Sequence, residues 1–135
     1  MTVINPHLVT IDVITTYLAR HSRPDEQHYT FAYTITISNA GEVPVQLLSR
    51  HWIITDANGE VEEVRGEGVV GEQPVIPAGG FFRYTSGATL PTPVGCMEGS
   101  YTMIRLDGGD TDPEQLLAFE VAIPAFTLHT PMALN

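Results

Sequence analysis

The chain has 135 residues, enough for one domain, with 43% hydrophobic and 16% charged residues, a balance that excludes a disordered chain, and no apolar run reaches membrane-spanning length. Its basic residues are six arginines (Arg20, Arg23, Arg50, Arg65, Arg83 and Arg105) against sixteen acidic residues, a net charge of −10, which argues against nucleic acid or an anionic membrane as partner because both are held through phosphate neutralisation. A single cysteine, Cys96, and no export-type segment near Met1 predict a reducing, cytoplasmic setting.

In chain order, Val9, Ile11, Val13, Thr15 and Tyr17 alternate with Thr10, Asp12 and Thr16, with Ile14 interrupting the polar side, and predict a first strand. Leu18 to Gln27 is polar, contains Pro24 and reads as a loop. The clearest strand runs from His28 to Asn39, where Tyr29, Phe31, Tyr33, Ile35 and Ile37 face one way and Thr30, Ala32, Thr34, Thr36 and Ser38 the other. Asn39 to Glu42 turns the chain into a third strand, Val45 to Asp56, apolar on both faces and expected to be central. Asn58-Gly59 favours the positive φ angles of a tight turn and predicts a hairpin into a polar fourth strand, Glu60 to Arg65.

A glycine-rich stretch, Gly66-Glu67-Gly68-Val69-Val70-Gly71, comes next. Pro74 and Pro77 hold its far side extended, Ala78-Gly79-Gly80 turns the chain again, and Phe81 to Ser86 forms a short fifth strand. Gly87 to Gly99, with Pro91, Pro93 and Gly95, is expected to be an irregular connection. Ser100 to Leu106 is a sixth strand, Asp107 to Glu114 an acidic hairpin loop and Leu117 to Ile123 a seventh strand, while Pro124 onward has no assigned structure.

About seven short strands without helical periodicity predict an all-β, antiparallel sandwich of the immunoglobulin or fibronectin type III kind, a single domain over 1–135 with its core between about 9 and 126. A closed barrel has the same strand count and stays open as an alternative. Trp52, with Leu48 and Ile54 on its face, is expected in the core, and Arg50 on the same face is expected at the surface.

The glycine stretch spells G-x-G-x-x-G, which binds dinucleotides when it opens a helix. Here Pro74 and Pro77 follow closely, Val69, Val70, Val75 and Ile76 favour extended backbone, and no acidic ribose ligand stands some twenty residues on. A P-loop is excluded by the absence of lysine. Two readings remain: Gly66, Gly68 and Gly71 supply positive φ or close backbone approach where the chain crosses between sheets, or their backbone forms a phosphate nest with charge from Arg50, Arg65 or Arg83. His7, His21, His28, His51 and His129 are scattered, so no zinc-type spacing exists and no metal or cofactor site is assigned. Asp107, Asp110, Asp112 and Glu114 read as a solvated hairpin tip rather than a cation loop. Neither Ser86 nor Cys96 sits in a nucleophile motif, so no catalytic residue is assigned.

The segments Ser49–Asp56, Gly66–Pro74, Tyr84–Gly87 and Pro93–Tyr101 together resemble the ApaG family, found in bacteria and as a domain of some eukaryotic F-box and mitochondrial proteins. The resemblance implies a fibronectin type III-like sandwich. It also implies an association with dinucleoside-polyphosphate metabolism and with cobalt and magnesium handling in bacteria, and a protein-interaction role in eukaryotes, with no catalytic residues to carry over. The expected function is a non-enzymatic binding or protein-interaction module, with Arg50, Arg65, Gly66, Gly68, Gly71 and Arg83 as candidate binding residues, a protein as partner, and edge strands that offer a homodimer contact. The alternative is a phosphate, pyrophosphate or nucleotide-binding protein using the same loop.

Overall fold

The computed structural model describes residues 8–106 and 118–132. The acidic loop from Asp107 to Glu114 lies outside these residues. The described chain forms eight strands: β1 (Val9–Tyr17), β2 (Tyr29–Asn39), β3 (Val45–Asp56), β4 (Val61–Glu67), β5 (Val75–Ile76), β6 (Phe81–Leu90), β7 (Val94–Arg105) and β8 (Ala118–His129). Two antiparallel sheets, β1-β2-β6 and β4-β3-β7-β8 with β5 paired to β3, face each other as a sandwich.

Strand β2 shows why the layers pack. Its inward residues Phe31, Ile35 and Ile37 are wholly buried, while its threonines face out and two of them pair hydroxyls with β6, Thr30 with Thr89 and Thr34 with Thr85. Strand β3 is central, as its apolar character predicts, but its alternation is not uniform. Val45 and Leu47 point into the core, a bulge at Leu48 adds one residue relative to β7, and beyond it Trp52 is the buried residue. Leu48 therefore does not share the inward position of Trp52, contrary to strict period two.

Trp52 meets three rings edge-on: Tyr33 from the opposite sheet at 5.4 Å, Phe126 of β8 at 5.9 Å and Tyr101 of β7 at 6.4 Å between centroids. Phe126 reaches it because Pro124 and Ala125 stand together opposite Glu98, a second bulge that resets the inward face of β8. Proline is tolerated there because a bulge releases the ladder.

Three expectations need correction. Gly87 to Gly99 is not an irregular connection: β6 runs through Gly87 to Leu90 and β7 starts at Val94, leaving only a tight turn at Pro91-Thr92-Pro93. The glycines mark close approach instead of breakage, since a Cβ on Gly99 would lie 1.9 Å from the His51 carbonyl oxygen. The Gly66–Gly71 stretch does not cross between sheets, because β4 and β5 both pair with β3; the crossing comes after β5, at Pro77–Gly80. The eighth strand is the short β5.

The bulge makes a measurable distinction between neighbours. Leu47→Ala is expected to cost about 2–5 kcal/mol in urea denaturation because it empties a fully buried site, whereas Leu48→Ala costs about 1 kcal/mol. The reverse order would place Leu48 inward and remove the bulge.

Candidate functional site

The two sheets close on one side, where β1 lies against β8, and stay apart on the other, between the edges of β4 and β6. Between those edges runs a cleft of about 700 Å³, floored by Tyr33, Trp52 and Ile54 and walled by Val64 of β4 and Ala88 and Leu90 of β6. It continues past Arg50 into a second space of about 300 Å³ beside Val69, Val70 and Gly71. Arg50 lines both, and the far end of the larger cleft is acidic, with Asp56, Glu60 and Glu62.

Arg50 is half-buried rather than on the open surface, and the glycine loop is shaped around it. The β3–β4 register sets Gly66 directly opposite Arg50. A Cβ at Gly66 would lie 2.7 Å from both terminal guanidinium nitrogens, so any side chain there would have to displace the guanidinium. The guanidinium Nη1 donates to the carbonyl oxygens of Glu67 at 3.0 Å and Gly68 at 2.9 Å. Among the described residues Arg50 makes no ion pair.

The rest of the loop is bound to itself and to the β3 bulge. Gly68 N–H and the Gln73 side chain both donate to the Leu48 carbonyl, at 2.8 and 3.0 Å. A Cβ on Gly68 would come within 2.2 Å of the Glu72 carbonyl oxygen. Val69 and Glu72 exchange both backbone hydrogen bonds around Val70 and Gly71, whose φ angles of +44° and +81° make the twisted two-residue hairpin turn. The N–H groups of Gly68, Val69 and Glu72 are thus consumed internally, and the carbonyls of Glu67 and Gly68 face Arg50. This polarity is opposite to that of an anion-binding nest.

The structure brings Arg50, Gly66, Gly68 and Gly71 together and separates the other two candidates from them. Arg65 projects from the opposite face of β4, where it donates to Glu63 Oε1 at 3.0 Å, an oxygen also bonded to His51 Nε2 at 2.5 Å. Those two partners, His51 first, hold the exposed Glu63 carboxyl below its ordinary value. Arg83 lies on the outer face of the three-stranded sheet, donating from Nε to Thr36 Oγ1 at 3.0 Å and covering the Phe81 ring. No group of three or more His, Cys, Asp or Glu residues among the described residues is arranged to hold a metal ion.

Sequence reasoning missed Ala88 and Leu90, because β6 was expected to stop at Ser86, although Phe82, Tyr84, Ser86, Ala88 and Leu90 continue one period-two face. It also missed the pair beneath the cleft, Tyr84 of β6 and Tyr101 of β7, whose hydroxyls share a buried hydrogen bond between the sheets. Burial pushes both phenols well above their ordinary range.

Two substitution sets test this arrangement. Gly66→Ala is expected to destabilise by about 1–3 kcal/mol by displacing the guanidinium, and to lose most of that cost in an Arg50→Ala background, where the clash is gone. Tyr101→Phe is expected to cost about 1–3 kcal/mol by stranding the Tyr84 hydroxyl, while the Tyr84→Phe, Tyr101→Phe double variant costs less than the two singles combined because no hydroxyl is left unpaired. Denaturant titration reads both, and simple additivity would refute either contact.

Residues 19–105 match the family model of the ApaG domain. Over 129 residues the chain is 54% identical to Protein ApaG of Pseudomonas aeruginosa (strain LESB58), covering 96% of each. It is 52% identical over 130 residues to Protein ApaG of Methylococcus capsulatus, covering 96% of this chain and 97% of that one. A crystal structure described as the ApaA protein of Bordetella pertussis superposes with a TM-score of 0.82 at 46% identity, covering 92% of this chain and 94% of its own. On sequence and fold together, the chain belongs to the ApaG family.

Proposed function

We propose that this chain is a non-enzymatic protein-interaction module whose cleft between β4 and β6 receives an extended segment of a partner protein. The observation that carries the reading is the pair of strand edges flanking that cleft, with which no other strand pairs among the described residues. Unpaired edges offer backbone donors and acceptors to an incoming strand, and the apolar floor offers side-chain contact. The volume falls in the range of ordinary ligand pockets. Exposed apolar residues also sit at both ends of the β4 side, Val61 at 62% and Val70 at 54% exposure, as a surface covered by a partner would have.

A second reading, a phosphate, pyrophosphate or nucleotide ligand, is favoured by the Arg50 guanidinium, which has no ion-pair partner among the described residues. It is opposed by the acidic lining farther along the cleft, Asp56, Glu60 and Glu62, and by the inward carbonyls of the loop.

A photo-reactive amino acid at Val61, at the cleft, compared with one at Ile14, on the outer face of β1, tests the proposal in growing cells. Protein adducts are expected from Val61 and not from Ile14, and Ala88→Trp, which fills the cleft, should remove them. Equal adducts from both positions, or adducts indifferent to Ala88→Trp, would place the interaction elsewhere.

A further inference from the structure

We infer that the segment taken by the cleft carries an acidic, an apolar and a basic side chain at alternate positions, the acidic one meeting Arg50. The inference rests on the interaction reading above and names the ligand chemistry of that site. Beyond the bulge, Arg50, Trp52 and Ile54 follow one another at two-residue intervals on the inner face of β3, and their cross-strand neighbours on β4 are Gly66, Val64 and Glu62. The floor therefore runs from cationic at Arg50, through apolar at Trp52 and Val64, to acidic at Glu62 with Glu60 and Asp56 beside it.

An extended segment repeats its side-chain direction every two residues and rises about 3.3 Å per residue. Three inward side chains on it consequently match the three zones, with about 13 Å between the first and third. Desolvation decides the sign at Arg50. A guanidinium has five N–H donors, and the bonds of Arg50 to the Glu67 and Gly68 carbonyls both come from Nη1. An apolar segment laid over the cleft would bury the remaining donors without acceptors, which costs more than the contact returns. A carboxylate accepts two of them at once.

The acid is a side chain rather than a chain terminus, because the cleft continues beyond Arg50 into the space beside Val70 and Gly71. A polyanion is disfavoured by the carbonyl oxygens of Glu67 and Gly68 that face Arg50 and by Glu62 at the other end of the floor. The complementary charge at the Glu62 end is therefore a lysine or arginine two positions past the apolar residue.

Ten-residue peptides containing Glu-Thr-Val-Thr-Lys, and the same five residues in reverse order, between serine and threonine flanks, test this by NMR titration of the isotope-labelled full chain. Saturable shifts at Val64, Ser86 and Ala88 are expected, with one order preferred. Replacing the peptide Glu by Gln should weaken binding about fivefold. Glu62 is exposed on an edge strand, so Glu62→Lys leaves the fold intact; it should weaken the lysine peptide and restore affinity for one bearing glutamate in place of lysine. Equal affinity for the Gln peptide, or indifference to Glu62→Lys, overturns the charge pattern while leaving cleft binding standing. Absence of saturable shifts with either order overturns the inference outright. Saturable shifts confined to the Arg50 surroundings with inorganic pyrophosphate, and none with peptide, would bring down the interaction reading itself.

Discussion

At Leu48, strand β3 fits one more residue than β7 beside it, and the inward face of the strand moves from odd to even positions there. Trp52 can stand at the centre of the sandwich only because of that extra residue. With the ladder in perfect alternation from Val45, His51 and Ile53 would face the core, and Arg50 would face solvent. The bulge converts one strand into two functional halves: Val45 and Leu47 close the core at one end, while Arg50, Trp52 and Ile54 form the cleft floor at the other.

The glycine loop follows from the same constraint. A bulge leaves backbone groups outside the regular ladder, and here the Leu48 carbonyl is taken up by Gly68 N–H and by the Gln73 side chain. Gly66 clears space for the guanidinium that the bulge turned inward, and Gly68 admits the Glu72 carbonyl. Val70 is exposed and holds a left-handed backbone that a β-branched residue rarely adopts, so the turn is dictated by the bonds around it rather than by the preference of its own residue. The motif that reads as a cofactor signature is the internal support of an arginine.

Much of this was legible in the sequence, and what was not has identifiable physical causes. The alternation of β2 survives because nothing interrupts its ladder. The bulge in β3 leaves no compositional mark, so Leu48 reads as inward, and the proline that marks the bulge in β8 reads equally well as a strand end at Pro124. Gly87 and Gly99 read as breakers because a sequence shows the missing side chain but not the carbonyl that occupies its place. The Arg50–Gly66 contact was closer to hand than it seemed. Once the Asn58-Gly59 turn pairs Thr55 with Val61, counting back along both strands sets Gly66 opposite Arg50. Arg65 and Arg83, near the motif in sequence or plausible by charge, point away because neighbouring strand residues alternate: Arg65 faces away from Val64 and Gly66, and Arg83 from Phe82 and Tyr84.

The separation of β4 from β6 has a topological consequence. A strand bonded to one edge would merely widen a sheet. A strand bonded to both would join β1-β2-β6 to β4-β3-β7-β8 in a continuous ladder whose two ends among the described residues, β1 and β8, already lie against each other. The occupied molecule would then be a nearly closed barrel, and the empty one a barrel lacking a stave.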